Sequence, residues 1–294
     1  MARRSSMTMG FPPVTYAVKW LVIVNCAVYV LALLANGLGF VSTGAIHEIL
    51  GLVPYHVVHG WIWQVVTYSF IHYGIFHLLF NMLALWMFGS QFEIDWGRRQ
   101  FLEFFFFCVV GAAITSIVVG YGGLLAYQFW QVPLFRSMAS LTLIPTVGAS
   151  GGIYGILLAY GILYGNREIL LWFVLPVKAK YMVAVFIFIA LVGALGDSGG
   201  VANFAHLGGA FFGWIYLRFI PRKGLQFATS EGYYGIRNSY IKWRRRRAAK
   251  KFEVYMRDKN QPTNYNDYFD EYGNYKDPKS GGKDNGEGRP PWVN

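Results

Sequence analysis

Cysteine, acid and charge are all scarce in this chain. Only two cysteines, Cys26 and Cys108, occur in 294 residues. Both fall within apolar runs, where a thiol packs as a small apolar group and no disulfide framework is available. Charged residues make up 14% of the chain against 55% hydrophobic ones, which excludes a soluble domain of ordinary surface. Two signatures of embedded hydrolases are also missing. There is no His-Glu-x-x-His for a metal-dependent protease, and no pair of intramembrane aspartates, Asp197 standing alone at a loop. His72 and His77 are five apart with no acidic ligand close by, so no metal site is expected. No segment repeats internally. No small-residue cleavage site follows the first apolar run after Arg3 and Arg4, which predicts that the first helix is retained as an anchor.

What the chain has instead is a series of apolar runs of roughly 17 to 22 residues, the length that spans a hydrocarbon core. They predict an all-α membrane protein with six transmembrane helices, over residues 17–35, 77–92, 101–120, 147–164, 181–196 and 201–220. Cations mark the orientation. Arg3, Arg4 and Lys19 flank the first run, Arg98 and Arg99 the second loop, Arg167, Lys178 and Lys180 the fourth, and Arg222, Lys223 and Arg244 to Arg247 the end of the sixth. The loops after runs one, three and five hold only Arg136, so both termini are expected in the cytoplasm. The net charge of +11 is thereby a topological signal spread over membrane-flanking sites, and no nucleic-acid partner is expected.

Residues 36–73 carry Trp61, Trp63 and Tyr68 and only Glu48 as a formal charge, a composition suited to short helices at the lipid interface. Residues 121–145, interrupted by Pro133 and Pro145, are expected to form an outer lid or re-entrant stretch. The domain boundary is placed at residues 1–222 for the membrane-embedded part and 223–294 for a basic cytoplasmic tail. The tail's first stretch, with Trp243, Phe252 and Tyr255, suits a helix on anionic lipid. Its remainder past Asn260 has too few aliphatic residues to bury and reads as disordered.

Two polar residues inside the apolar runs stand out. Ser150 sits in Gly148-Ala149-Ser150-Gly151 at the start of run four, and His206 in Ala205-His206-Leu207-Gly208-Gly209 early in run six. A polar side chain at bilayer depth is costly without a partner, which makes both functional candidates. Runs four and six cross in the same direction, so the two residues lie at similar depth. Gly151, Gly155 and Ala159 recur every fourth residue, as do Ala205, Gly209 and Gly213, and small residues at that spacing let helix backbones approach closely. A serine nucleophile with a histidine base follows, set against the blander alternatives of a serine bonded to its own helix and a histidine bridging two helices. His77 and Asn81, four apart on one face of run two, offer N–H donors for an oxyanion, joined by the backbone N–H of Ser150 at a helix start. Their alternative is a structural hydrogen bond between helices.

Together these residues resemble the rhomboid family of intramembrane serine proteases. The resemblance covers about residues 14–220 and rests on Gly-x-Ser-Gly at Gly148 to Gly151, His-x-x-x-Asn at His77 to Asn81, and Ala-His-x-x-Gly-x-x-x-Gly at Ala205 to Gly213. It implies a six-helix rhomboid bundle with an interfacial first loop, and a Ser150–His206 dyad without an acidic third member in a water-filled cavity. It also implies oxyanion assistance from His77 and Asn81, and Tyr154 stacked on the catalytic ring. Hydrolysis of peptide bonds in or near transmembrane segments follows, without metal or organic cofactor, on membrane-protein substrates in contact with membrane lipids. A non-catalytic rhomboid-like protein that binds transmembrane helices is the alternative. Some bacterial members carry Trp-Arg in the first loop where this chain has Trp63 and Gln64, a departure that bears on how the loop is anchored. The short connections suit a bacterial inner membrane, with an organelle membrane left open.

Overall fold

The computed structural model describes residues 12–171, 175–195, 200–220, 237–244, 246, 247, 250 and 257. Arg3, Arg4, Asp197, Arg222, Lys223, Arg245, Phe252, Tyr255 and the tail past Asn260 lie outside them. The chain divides into two units, residues 1–224 and residues 225–294.

The first unit is helical almost throughout. Helix α1 (Tyr16–Gly37) is followed by three short helices, α2 (Thr43–Leu50), α3 (Pro54–Val58) and α4 (Gln64–Thr67), and a 3-10 turn at Tyr68–Phe70. Helix α5 (Ile75–Ala84) passes through a π-helical turn at Leu85–Gly89 into α6 (Ser90–Trp96). Then come α7 (Arg98–Trp130), α8 (Pro133–Ser140), α9 (Ser150–Leu163), α10 (Ala179–Leu195) and α11 (Gly200–Phe219). Among the described residues three stretches have the length and apolarity of a membrane span, α1, Ile75–Trp96 and α7; α9 and α10 are shorter apolar helices. Their outward side chains are greasy: Leu31 is 64% exposed, Phe76 71% and Phe188 64%. In water such an exterior is a liability, and against lipid it is the solvated face. The chain is a helical membrane-embedded protein.

The loop between α1 and α5 is held by hydrogen bonds that replace charge with amide chemistry. Gln64 is fully buried; its Oε1 accepts from the Val53 N–H at 3.0 Å and its Nε2 donates to the Glu48 carbonyl at 2.6 Å. Trp63 Nε1 donates to the Ile49 carbonyl at 2.9 Å. A neutral side chain thus ties α4 to the end of α2 at the position where an arginine would bring a buried cation. Tyr68, expected at the lipid interface, is instead 1% exposed, with its hydroxyl donating to the Val109 carbonyl at 2.8 Å. Its hydroxyl lies beside Gly151 and finds the partner it needs on α7.

Glu93 of α6 is nearly buried, and its carboxylate accepts from the Ala17 and Val18 N–H groups at 2.8 to 3.0 Å. These are first-turn donors of α1 that no helical carbonyl reaches, and an anion there is favoured by the helix dipole. Only Gly97 separates α6 from α7; its φ of +82° permits the reversal that a residue with a Cβ resists.

Two expectations need correction. The third apolar run does not stop at Gly120: α7 continues to Trp130, and at about 1.5 Å per residue its 33 residues reach about 50 Å, well beyond a hydrocarbon core of about 30 Å. The chain reverses at Gln131, whose φ is +50°, and Pro133 opens α8, which lies back against α7. Glycines serve as the contact surface, Gly120 against Leu141 and Thr142, Gly123 against Met138. The stretch 121–145 is therefore mostly a helical hairpin. Its end packs with Leu141 against Ala194 of α10 and Phe204 of α11, with Leu207 alongside. Between α9 and α10 an unanticipated antiparallel hairpin pairs β1 (Glu168–Leu171) with β2 (Leu175–Lys178), setting Glu168 opposite Lys178.

In the second unit, residues 237–244 are helical, as are 246, 247 and 250.

Candidate active site

The approach to Ser150 is fixed by a glycine. Gly148 has φ +120°, and a Cβ there would stand 2.8 Å from the Cε1 and Nε2 atoms of His77 and 3.5 Å from Asn81 Nδ2, so both backbone conformation and space demand glycine. Its N–H donates to the Tyr68 carbonyl at 2.9 Å. Tyr73 secures the same loop from the other side, donating its hydroxyl to the Pro145 carbonyl at 2.6 Å. Residues 147–149 are thus loop and cap, and α9 begins at Ser150, three residues later than the apolar run suggests. Ser150 therefore sits in the first turn of a helix, where backbone N–H groups lack helical acceptors and the dipole favours negative charge.

Helix α11 packs against both α7 and α9. A methyl group on Gly209 would collide with the Gly151 carbonyl, and one on Gly213 would come within 2.9 Å of the Gly155 Cα. The contacts advance by four residues on both helices, from 151 with 209 to 155 with 213, so the two run parallel with backbones touching. A methyl on Gly155 would likewise strike Cys108 of α7, which is how that buried thiol comes to pack as an apolar group.

That approach brings the polar pair together. His206 Nε2 lies 2.7 Å from Ser150 Oγ, both side chains half-buried. With Nε2 accepting the hydroxyl proton, the ring proton resides on Nδ1, which is buried and has no hydrogen-bond partner among the described residues. No carboxylate among the described residues orients this imidazole. A ring does: Tyr154, one turn beyond Ser150, stacks on His206 with centroids 4.2 Å apart and planes 3° from parallel. In the Ser–His–Asp arrangement an acid holds the base in position, and here a flat aromatic face restricts the same rotation.

Asn81 is 7% exposed, and its Nδ2 has no hydrogen-bond partner among the described residues. A buried amide donor left unpaired costs free energy, and it stands beside the Gly148 backbone together with His77. The donors of His77, Asn81 and the first turn of α9 thus converge on the segment that carries Ser150. His77 is in turn packed on by His72, edge-on at 5.0 Å, and by Tyr73, stacked at 6.4 Å. His72 is 4% exposed; burial, and after it the nearby His77 ring, pull its pKa down to about 3, so it stays neutral at physiological pH. Sequence reasoning gave Tyr68, Tyr73 and Pro145 no part here. The only signal was the density of aromatics just ahead of His77, which reads equally well as an interfacial belt.

Among the described residues no three His, Cys, Asp or Glu side chains are grouped to hold a metal ion. A cavity of about 640 Å³ lies at the other end of α9, against Tyr164, Arg167 and Lys180. Arg167 there donates to Gln91 at 3.0 Å and lies over the Tyr164 ring, contacts that tie the end of α9 to α6 and involve none of the residues around Ser150.

Fold and site together define a helical membrane protein with a serine and a histidine in hydrogen-bond contact among its embedded helices. Residues 59–223, more than half of the chain, match the family model described as the Rhomboid domain, and the chain belongs to the rhomboid family. It is similar to the mitochondrial Rhomboid protein 1 of Saccharomyces cerevisiae, 29% identical over 162 residues, covering 54% of this chain and 42% of that protein. The mitochondrial RHOMBOID-like protein 6 of Arabidopsis thaliana is 29% identical over 181 residues, 60% of this chain and 50% of that one. The Rhomboid protease GluP of Bacillus subtilis is 27% identical over 162 residues, 54% of this chain and 26% of that protein. The chain thus spans half or less of the length of these curated relatives.

Proposed function

We propose that this protein is an intramembrane serine endopeptidase that hydrolyses peptide bonds in or near transmembrane segments of other membrane proteins. The 2.7 Å contact of Ser150 with His206 is the observation that carries the proposal. Ser150 Oγ attacks the scissile carbonyl while His206 Nε2 takes its proton. The oxyanion forms beside the Ser150 N–H, His77 and Asn81, and His206 returns the proton to the departing amine. Water then enters along the same path, giving up a proton to His206, and releases the acyl group from Ser150. Tyr154 holds the imidazole through both transfers; Gly148, Gly151, Gly209 and Gly213 supply the turn and the close helix contact.

In this reading six helices cross the bilayer with both termini in the cytoplasm. The protease part occupies residues 1–222 and residues 223–294 form the tail. Substrates are single-span or polytopic proteins that reach the site within the lipid. A bacterial inner membrane is part of the proposal; relatives named as mitochondrial stand beside the bacterial one, and an organelle membrane is the other setting.

The test is labelling in detergent or membranes with a fluorophosphonate probe, which reacts with activated serines. Labelling that disappears in Ser150→Ala supports the proposal. An unlabelled wild-type protein of intact fold points to a non-catalytic member that binds transmembrane helices.

A further inference from the structure

The helical segment of the second unit carries a surface that proteolysis leaves unused. From residue 237 to 251 the sequence holds Arg237, Lys242, Arg244 to Arg247, Lys250 and Lys251 and no acid. Every described side chain between 237 and 250 is exposed except Ile241, which is half-buried. Two of the exposed groups are large aromatics, Tyr240 at 59% and Trp243 at 53%. Their rings stack at 5.9 Å, and the Arg247 guanidinium lies 5.2 Å above Trp243. At helical spacing, residues 240, 243, 244 and 247 share one face, so aromatic bodies and cations point the same way.

Amphipathic rings settle at headgroup depth, and arginine beside them reaches phosphate with a planar fork of donors. A cation-rich face also complements the charge of anionic lipid, each cation near the surface adding to the attraction. The segment is tethered to a membrane protein. Helix α11 ends at Phe219, and the intervening chain to residue 237 reaches at most about 60 Å when fully extended, which keeps the helix at high local concentration near the bilayer.

We infer that this helix binds an anionic bilayer surface, with Tyr240 and Trp243 at headgroup depth and the flanking arginines on lipid phosphate. The inference rests on membrane embedding and is independent of the peptidase chemistry. A single-stranded nucleic acid would also favour cations interleaved with aromatics; the tether and the interfacial aromatics favour lipid.

The test uses full-length protein with Cys26→Ala and Ser239→Cys, labelled at position 239 with an environment-sensitive fluorophore; Cys108 is fully buried and stays unlabelled. The protein is placed in nanodiscs of phosphatidylcholine, with or without phosphatidylglycerol. The expected result is a blue-shifted emission only with phosphatidylglycerol, reversed in about 1 M salt, where screening acts within about 3 Å. Replacing Arg244 and Arg247 by Gln should lower the bound fraction relative to the free by on the order of tenfold. Inorganic phosphate added to phosphatidylcholine discs should produce no shift. Equal emission in the two lipids overturns the inference, as does a shift produced by single-stranded RNA in phosphatidylcholine discs and absent with phosphatidylglycerol. Adding Ser150→Ala to the labelled chain should leave the shift unchanged, so failure of the lipid reading and failure of the peptidase reading are separable.

Discussion

Tyr154 lies flat on His206, 4.2 Å between ring centroids and 3° from parallel, while His206 Nε2 faces Ser150 Oγ at 2.7 Å. One side of the imidazole is thus held by a ring and one nitrogen by the serine. Nδ1 has no acidic partner among the described residues.

The stack predicts a graded response at position 154. Tyr154→Phe keeps the ring and should retain most of the turnover. Tyr154→Ala removes it and should lower kcat by about two- to tenfold, the range expected for one aromatic contact, with little change in KM. Steady-state cleavage kinetics of both variants check this. Equal kcat for the two would remove orientation from the role of Tyr154.

Asn81 Nδ2 is buried and unpaired among the described residues, beside the Gly148 backbone. If it donates to the oxyanion, its contribution appears only as charge develops on the substrate. Asn81→Ala should therefore reduce kcat by about 10² to 10³ while KM holds. A rise in KM with kcat intact would assign Asn81 to substrate binding instead.

The contact between α9 and α11 predicts a stability difference among glycines. A methyl on Gly209 meets the Gly151 carbonyl, whereas one on Gly122 of α7 meets nothing within 4 Å. Gly209→Ala should be destabilising by about 1 to 3 kcal/mol or more, with a fall in Tm and a separated dyad. Gly122→Ala should be neutral or stabilising by about 0.5 to 1 kcal/mol, since alanine orders a helix at lower entropic cost. Thermal unfolding in detergent measures both, and a Gly209→Ala protein as stable as wild type would contradict the close packing.

The parts of the fold legible in the sequence are those that depend on local pattern. Long apolar runs mark the helices because a lipid-facing helix must be apolar over its whole length. Ser150, His206, His77 and Asn81 stand out because polar groups are rare in such runs, and the fourfold spacing of Gly151, Gly155, Gly209 and Gly213 announces a close approach. What stayed hidden depends on partners distant in the chain. The third run reads as ending at Gly120, yet Gly120 and Gly123 are small because α8 and the loop after it lie on them. Tyr68 reads as an interfacial ring, and only the fold brings the Val109 carbonyl to its hydroxyl. Glu93 carries no sign of its partner in the sequence, and only the fold sets it under the first turn of α1.

The central claim is that Ser150 is the nucleophile of a peptidase working inside the membrane. Its most direct test is cleavage of a single-span substrate reconstituted in liposomes with wild-type protein or with Ser150→Ala at equal, folded amounts. The account predicts substrate fragments with wild type and none above background with Ser150→Ala. Fragments of the same size and yield from Ser150→Ala would contradict it.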